Sequence, residues 1–160
     1  MNLHTIGYEG LDIDTFAQLI ESNGVCRIID VRELPISRKP GFSKSKLNDF
    51  LRSIGIEYVH IPSLGCPKAI RHDYREDNNW KRYTTRYLFH MSSLDEDIED
   101  LLKMVEQVQS CLLCFEADHT HCHRSFVADQ VSLISEGEII VHPIYLPKAN
   151  KVEWLHPAYV

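Results

Sequence analysis

One short segment, residues 114–125, is unusually rich in side chains that can do chemistry. Its first ten residues supply two thiols, three imidazoles and two carboxylates. A helix predicted to begin near Arg124 and Ser125 would add unpaired N–H groups and a positive dipole end, and with the guanidinium these make a good anion site. The same field lowers the pKa of a thiol held there. We therefore expect Cys122 to be an activated nucleophile and His123 to carry protons.

The same segment offers a second chemistry, metal binding. Thiolates and imidazoles are the preferred ligands of zinc, although the spacing here departs from the two separated pairs of a usual structural site. A third interpretation needs no ligand at all: the strand-end cysteine belongs to the core and the histidines lie on the loop surface. The candidate ligands are Cys114, His121, Cys122 and His123, with His119 as a further imidazole.

A second segment begins where an apolar predicted strand ends in Asp30, at a place where a carboxylate is costly unless it is paired or hydrogen-bonded. We expect Asp30 to pair with Arg32 or Arg124, or to orient a histidine. The loop that follows carries Ser37 and Arg38 ahead of a predicted helix, and both side chains suit phosphate contact. The alternative is a purely structural Asp–Arg pair.

A third candidate follows the first predicted strand, where Gly7 and Gly10 allow a close approach of the backbone. As a phosphate loop the pattern is weak, since it has neither the lysine of a P-loop nor the third glycine of a dinucleotide loop. Tyr8 lies between the glycines and could stack on a base or sugar. Packing in the core is the commoner fate of such a tyrosine.

Charge is unevenly distributed along the chain, although its net value is only −6. Residues 32–86 hold 12 of the 17 lysines and arginines and six of the 23 acids, so this middle part carries +6 and the rest −12. The asymmetry favours an anionic partner, phosphate or nucleic acid, on one face. Arginines also alternate there with aromatic residues, which suits nucleotides or single-stranded nucleic acid, or else a polar helix with some buried rings. These residues are Arg71, Tyr74, Arg75, Trp80, Arg82, Tyr83, Arg86 and Tyr87.

The elements that must position these side chains alternate between strand and helix. Short apolar runs predict five strands, and apolar residues at i, i+3, i+4 and i+7 predict helices between them, one of them opened by a capping box at residues 93–96. This order predicts a single α/β domain over residues 1–160, with a mostly parallel five-stranded sheet, helices on both faces and the tail 146–160 packed on it. Ligands of such sheets bind beyond the carboxyl ends of the strands, so the candidate residues should converge there.

Length and composition set the remaining limits. The 160 residues are 44% hydrophobic and 25% charged, which fits one domain with its own core. No apolar run is long enough to span a membrane and no secretory signal is present, so we expect a cytoplasmic protein. The five cysteines, an odd number, argue against a disulfide framework.

Several short motifs occur together and in a fixed order. They are Thr5-Ile6-Gly7-Tyr8 with Gly10, Asp30-Val31-Arg32 with Pro35 and Ser37, Pro40-Gly41-Phe42-Ser43, Gly55-Ile56 with Tyr58, His60, Pro62 and Leu64-Gly65, and Cys114-Phe115-Glu116 with Cys122-His123-Arg124-Ser125. In this combination the sequence resembles, from residue 5 to about residue 130, the bacterial and archaeal family called domain of unknown function 488. The resemblance implies an α/β fold and the same motif residues as a site, without an activity.

A weaker similarity to rhodanese-like domains rests on the Asp-Val-Arg turn and on a strand-end cysteine ahead of an Arg-Ser helix start. The similarity fails at the site itself. Cys114 lies farther from Arg124 than the cysteine of a rhodanese-like loop lies from its arginine, so sulfur transfer is not implied.

These features predict an enzyme, a hydrolase or transferase, that acts on a phosphate-bearing substrate such as a nucleotide or nucleic acid. Two alternatives stay open, a non-catalytic nucleic-acid-binding module and a scaffold protein stabilised by zinc. No cofactor is expected, and if one is bound, zinc is the one that the residues suggest. The expected roles are anion binding by Arg32 and Arg124, nucleophile or acid/base chemistry by Cys122 and Glu116, and assistance by His123 and Asp30.

Overall fold

The computed structural model describes residues 1–146 of the chain. The strands are β1 (Asn2–Gly7), β2 (Arg27–Asp30), β3 (Glu57–His60), β4 (Ser110–Cys114) and β5 (Ile140–Ile144). The helices are α1 (Ile13–Ser22), α2 (Lys44–Ser53), α3 (Lys68–Asp77), α4 (Trp80–Met91), α5 (Asp95–Gln107) and α6 (His123–Ile134). The five strands form one parallel sheet in the order β3-β2-β4-β1-β5, which confirms the predicted α/β fold. The predicted tail spans residues 146–160, and all of it except residue 146 lies outside the described residues.

Successive side chains of a strand point to opposite faces of the sheet, and each face is covered by its own hydrophobic core. Ile28 and Leu113 point into the core beneath α1 and α2, whereas Ile29 and Leu112 point into the core beneath α3 to α6. Both cores consist of fully buried aliphatic and aromatic side chains, whose removal from water is the main source of stability. The sheet is therefore covered on both faces, as a parallel sheet requires.

The start of α5 differs from its prediction. The helix begins at Asp95 with Leu94 as its N-cap residue, and no side chain caps it. The hydroxyl of Ser93 instead donates to the carbonyl of His90 at 2.9 Å, at the end of α4. The predicted capping box is wrong because the turn between the two helices uses this serine to finish the preceding helix.

The chain reverses its direction of winding between β4, the central strand of the sheet, and its neighbour β1. From β1 it crosses to β2 on one side, and from β4 it crosses to β5 on the other side. The two crossovers use α1 and α6, which lie on opposite faces. Such a switch point opens a crevice beyond the carboxyl ends of the strands. Among residues 1–146, no helix has both the length and the apolarity that crossing a bilayer demands.

Candidate functional site

The two segments singled out from the sequence meet at the carboxyl edge of the sheet. β2 and β4 are neighbours, and the N–H of Val31 donates to the carbonyl of Leu113 at 3.1 Å. Directly after the end of β2, the carbonyl oxygen of Val31 lies 2.7 Å from the ring Nε2 of His123, the first residue of α6. The segments around residues 30–32 and 114–124 therefore form one site, as the parallel topology led us to expect.

Asp30 and Arg32 form a buried pair. The guanidinium donates to both carboxylate oxygens, from Nε at 2.9 Å and from Nη2 at 2.6 Å, and the Tyr58 hydroxyl donates to the carboxylate at 2.6 Å. Burial alone would lower the pKa of Arg32, but its hydrogen bonds to Asp30 and the charge of that carboxylate raise it above its usual value. Asp30 is fully buried and its carboxylate is engaged by these donors, which agrees with a structural Asp–Arg pair, while an assisting role in catalysis stays a prediction.

Four reactive side chains come together beside this pair. They are Cys114, Glu116, Cys122 and His123, and one ligand atom from each lies within 4.8 Å of all the others. The carboxylate of Glu116 is 3.1 Å from the sulfur of Cys114 and 3.1 Å from the sulfur of Cys122. The ring Nδ1 of His123 is 3.7 Å from the first sulfur and 3.9 Å from the second. We call these four residues the Cys–Glu–His cluster.

The contacts of His123 fix the tautomer of its ring. A carbonyl oxygen only accepts, so the short contact with Val31 requires the proton on Nε2. In the neutral ring this leaves Nδ1, which faces both sulfurs, as an acceptor or ligand, whereas the charged ring carries a proton there as well. The ring is 3% exposed and also packs against Tyr87, with 5.4 Å between ring centroids.

Burial and the close contact of these side chains shift the pKa values within the cluster. Burial raises the pKa of Glu116, and the neighbouring thiol of Cys122 raises it further. Burial also raises the pKa of Cys114. Burial alone would raise the pKa of Cys122 too, but the hydrogen bond from Cys114 and the charge of His123 bring it below its usual value. Cys122 is thus the thiol most easily ionised, as its position at the N-cap of α6 also favours.

Arg124 and Ser125 stabilise the loop instead of facing the crevice. Arg124 is fully buried, and its guanidinium donates to the carbonyls of Glu116 at 2.5 Å and of Ala117 at 3.3 Å. The Ser125 hydroxyl donates to the carbonyl of Cys122 at 2.8 Å, inside the first turn of α6. In the structure both side chains thus bond to backbone carbonyls, and their role as anion contacts stays a prediction.

Gly7 and Tyr8 also have a structural explanation. A Cβ atom on Gly7 would lie 1.7 Å from the carbonyl oxygen of Glu116, so only glycine lets β1 approach the loop after β4. The Tyr8 ring is 3% exposed and stacks on Phe42, with 4.5 Å between centroids. Its hydroxyl accepts from Arg32 at 3.2 Å. Core packing is thus the main role of the tyrosine that the sequence offered for base stacking.

A pocket of about 270 Å³ opens directly above the cluster. Its floor includes Cys114, Glu116 and His123, and its wall includes Arg32 with the predicted phosphate contacts Ser37 and Arg38. Cys66, Arg71 and Arg75 also line it, and the sequence did not assign them to the site. Two sequence signals pointed to these arginines, the positive charge of residues 32–86 and the alternation of arginines with aromatic residues. Neither signal placed them in this pocket.

The other histidines of the loop lie outside the cluster. The ring of His119 contacts the Thr5 hydroxyl at 2.9 Å. His121 is exposed, lies 3.0 Å from the Asp118 carboxylate and packs against the Trp80 ring at 5.0 Å. His121 is therefore not the fourth ligand of the predicted metal set, because the short 3₁₀ turn at His119–His121 directs it outward. Glu116 is instead the fourth member of the cluster.

The basic and aromatic side chains of α3 and α4 are mostly engaged within the fold. Tyr83 and Tyr87 are buried in the core. Arg82 and Arg86 form ion pairs with Asp73. These contacts leave the helices without the row of free rings that single-stranded nucleic acid stacks on.

The fold and site define a class: an α/β protein with a buried Cys–Glu–His cluster under an arginine-lined pocket at the switch point of a parallel sheet. The chain belongs to the family described as domain of unknown function DUF488, whose model matches residues 12–131. This confirms the resemblance seen in the sequence motifs. Comparisons with curated proteins and with solved structures found no match. The rhodanese-like similarity is shown by none of these comparisons.

Proposed function

We propose that this protein is an enzyme, a hydrolase or transferase, that acts on a small phosphate-bearing substrate of nucleotide size. The observation that supports it is the combination, in one pocket, of four arginines with the thiol, carboxylate and imidazole of the cluster. The volume of about 270 Å³ is close to the lower end of small-molecule sites, roughly 300–1,000 Å³. Such a pocket suits a mononucleotide better than a nucleic acid strand.

The arginines of the pocket differ in how free they are to bind an anion. Arg32 is held by Asp30, and Arg71 pairs with Glu33 at 2.7 Å. Arg38 and Arg75 are exposed and form no ion pair with any residue in the range 1–146. A guanidinium in this state can offer two parallel N–H groups to a phosphate. We therefore assign phosphate binding to Arg38 and Arg75, with Ser37 beside them, and a supporting role to Arg32.

Glu116 is the group best placed for proton transfer. Its side chain is partly exposed toward the pocket, whereas Cys122 lies behind it and does not line the pocket. Its raised pKa moves a carboxylic acid toward neutral pH, where an acid/base catalyst is most effective. In this proposal Glu116 exchanges protons with the substrate, and the two cysteines and His123 set its environment.

The nucleic-acid-binding module is the weaker alternative, since two of its four candidate stacking residues, Tyr83 and Tyr87, are buried. We also propose that the protein is located in the cytoplasm. The five cysteines of the chain are free thiols, and thiols in contact with one another persist in the reducing cytoplasm.

Replacing Arg75 by glutamine is expected to weaken the binding of a nucleoside monophosphate roughly 10-fold, since one hydrogen bond to a charged group is worth about 1.5 kcal/mol or more. Binding is measured by calorimetry, with adenosine, guanosine, cytidine and uridine monophosphates and ribose 5-phosphate as probes. The matched control is Arg52→Gln, an exposed arginine at the end of α2 that does not line the pocket. The proposal fails if no phosphate compound binds or if both variants lose affinity equally.

A second variant separates binding from catalysis. Glu116→Gln keeps the size of the side chain and removes its proton-transfer capacity, so turnover of any phosphate compound that binds should fall by about 100-fold or more. Product formation is followed by chromatography. Turnover that survives this substitution would remove Glu116 from the role of acid/base.

A further inference from the structure

The Cys–Glu–His cluster has the composition and geometry of a metal site, and we propose that it binds one zinc ion per chain through Cys114, Glu116, Cys122 and His123. Zinc binding goes beyond the proposed function, since it needs no substrate. It can be established whether or not the pocket binds phosphate.

The distances inside the cluster fit a tetrahedral ion. With zinc bonds of about 2.3 Å to sulfur and about 2.0–2.2 Å to nitrogen and oxygen, neighbouring ligand atoms lie roughly 3.3–3.8 Å apart. The sulfurs of Cys114 and Cys122 are each 3.1 Å from the Glu116 carboxylate. They are 3.7 and 3.9 Å from Nδ1 of His123. One ligand atom from each of the four residues lies within 4.8 Å of all the others, so side-chain adjustments are what a single ion would need to contact all four.

The surroundings of His123 match those of a metal-bound imidazole. A ligating histidine almost always donates its second ring N–H to a carbonyl or carboxylate, which fixes its orientation. Here Nε2 donates to the carbonyl of Val31 at 2.7 Å, and Nδ1 faces the sulfurs. The loop that carries the other ligands is fixed independently, because Arg124 holds the carbonyl of Glu116.

The balance of charge also calls for a cation at this place. Two thiols and a carboxylate touch one another in a site where both cysteines are buried, and one imidazole is the only base among them. A divalent ion lets all three acidic groups lose their protons, which are released to solvent on binding. The guanidinium of Arg124, close to the loop, offsets the negative charge that remains.

The chemical types of the four ligands favour zinc over other metal ions. Two thiolates are unsuited to magnesium and calcium, which prefer oxygen. Sulfur, nitrogen and oxygen ligands in a tetrahedral arrangement suit zinc, and cobalt(II) can replace it as a coloured probe. Glu116 is the one ligand that is partly exposed, so it is the ligand that a water molecule or substrate would replace; this last point rests on the proposed function.

The test uses the full chain, stripped of metal by a chelator under reducing conditions and titrated with Co²⁺. We expect one Co²⁺ per chain, with a near-ultraviolet band from thiolate-to-cobalt charge transfer and the intense visible bands of tetrahedral cobalt. Addition of Zn²⁺ should bleach both. Cys122→Ser should lower the affinity by about 100-fold or more and halve the charge-transfer intensity at saturation, because loss of even a supporting contact costs 10–100-fold.

Two further variants keep the result interpretable. Cys66→Ser is the matched control, since Cys66 is equally buried and lines the pocket but is not part of the cluster. Glu116→Gln should weaken binding yet retain the charge-transfer band, because both sulfurs remain. The proposal is overturned if cobalt binds below one per chain, if Cys122→Ser leaves both the affinity and the intensity of the charge-transfer band unchanged, or if Cys66→Ser abolishes the band. None of these outcomes affects phosphate binding by Arg75, so the two proposals can fail separately.

Discussion

Asp30→Asn is expected to lower the free energy of unfolding by about 3–5 kcal/mol, since it leaves the buried charge of Arg32 without its partner. The carboxylate accepts four hydrogen bonds, three from Arg32 and one from Tyr58. An asparagine has one acceptor oxygen and turns an N–H₂ group toward donors that need an acceptor. Urea unfolding followed by circular dichroism measures the loss.

The matched control is Asp100→Asn, the same substitution in an ion pair on the surface of α5. Asp100 accepts from Lys103 at 2.9 Å, and both side chains are 65% exposed. Such a pair contributes about 0–1 kcal/mol, so this variant should unfold close to the parent protein. Tyr58→Phe should lie between the two, because it removes one hydrogen bond to the buried carboxylate and leaves the ion pair. A loss below about 1 kcal/mol for Asp30→Asn would contradict the structural role of the pair.

Much of the fold is predictable because it follows from short-range patterns. The spacing of Ile13, Phe16, Ala17 and Ile20 predicts α1, and the last three of these residues are buried in the structure while Ile13 is partly buried. The convergence of residues 30–32 and 114–124 is also predictable. It requires only that parallel strands bring their carboxyl ends to the same edge, whichever neighbours they choose.

The directions in which the side chains of the site point are harder to predict from the sequence. Arg124 has a long side chain, and the carbonyls that it binds are placed by the turn of residues 116–118. Spacing alone does not distinguish Glu116 from His121 as the fourth member of the cluster. The 3₁₀ turn at His119–His121 excludes His121 from the cluster, because it directs the His121 imidazole outward. There the imidazole packs against the ring of Trp80 in α4. Arg71 and Arg75 enter the pocket because α3 packs beside it, a contact without any local signal.

Gly7→Ala is the second substitution with a large expected effect. The added Cβ would lie 1.7 Å from the carbonyl oxygen and 2.3 Å from the carbonyl carbon of Glu116, which are backbone atoms that no side-chain rotation can move away. The strand and loop are also joined directly, by Tyr8 N–H to the Cys114 carbonyl at 3.2 Å and Glu9 N–H to the Phe115 carbonyl at 2.8 Å. Separating them should cost about 3 kcal/mol, the upper end of the usual range for overpacking.

The control for Gly7→Ala is Gly55→Ala, where a Cβ meets no atom within 4 Å. Its φ of +78° puts the control in the left-handed region, so it should still lose about 1–2 kcal/mol from backbone strain. The difference between the two variants in urea unfolding isolates the collision. Equal losses would mean that β1 can move away from the loop without consequence.

Gly7→Ala also tests how tightly the cluster depends on the backbone around it. The displaced carbonyl belongs to Glu116 and accepts from Arg124, so a shift there moves one member of the cluster and loosens the anchor of the loop. A variant that remains folded should therefore bind Co²⁺ at least 10-fold more weakly, whereas Gly55→Ala should bind it like the parent protein. Unchanged cobalt affinity in folded Gly7→Ala would show that the cluster tolerates movement of its loop. In that case the close approach at Gly7 would serve the stability of the sheet alone.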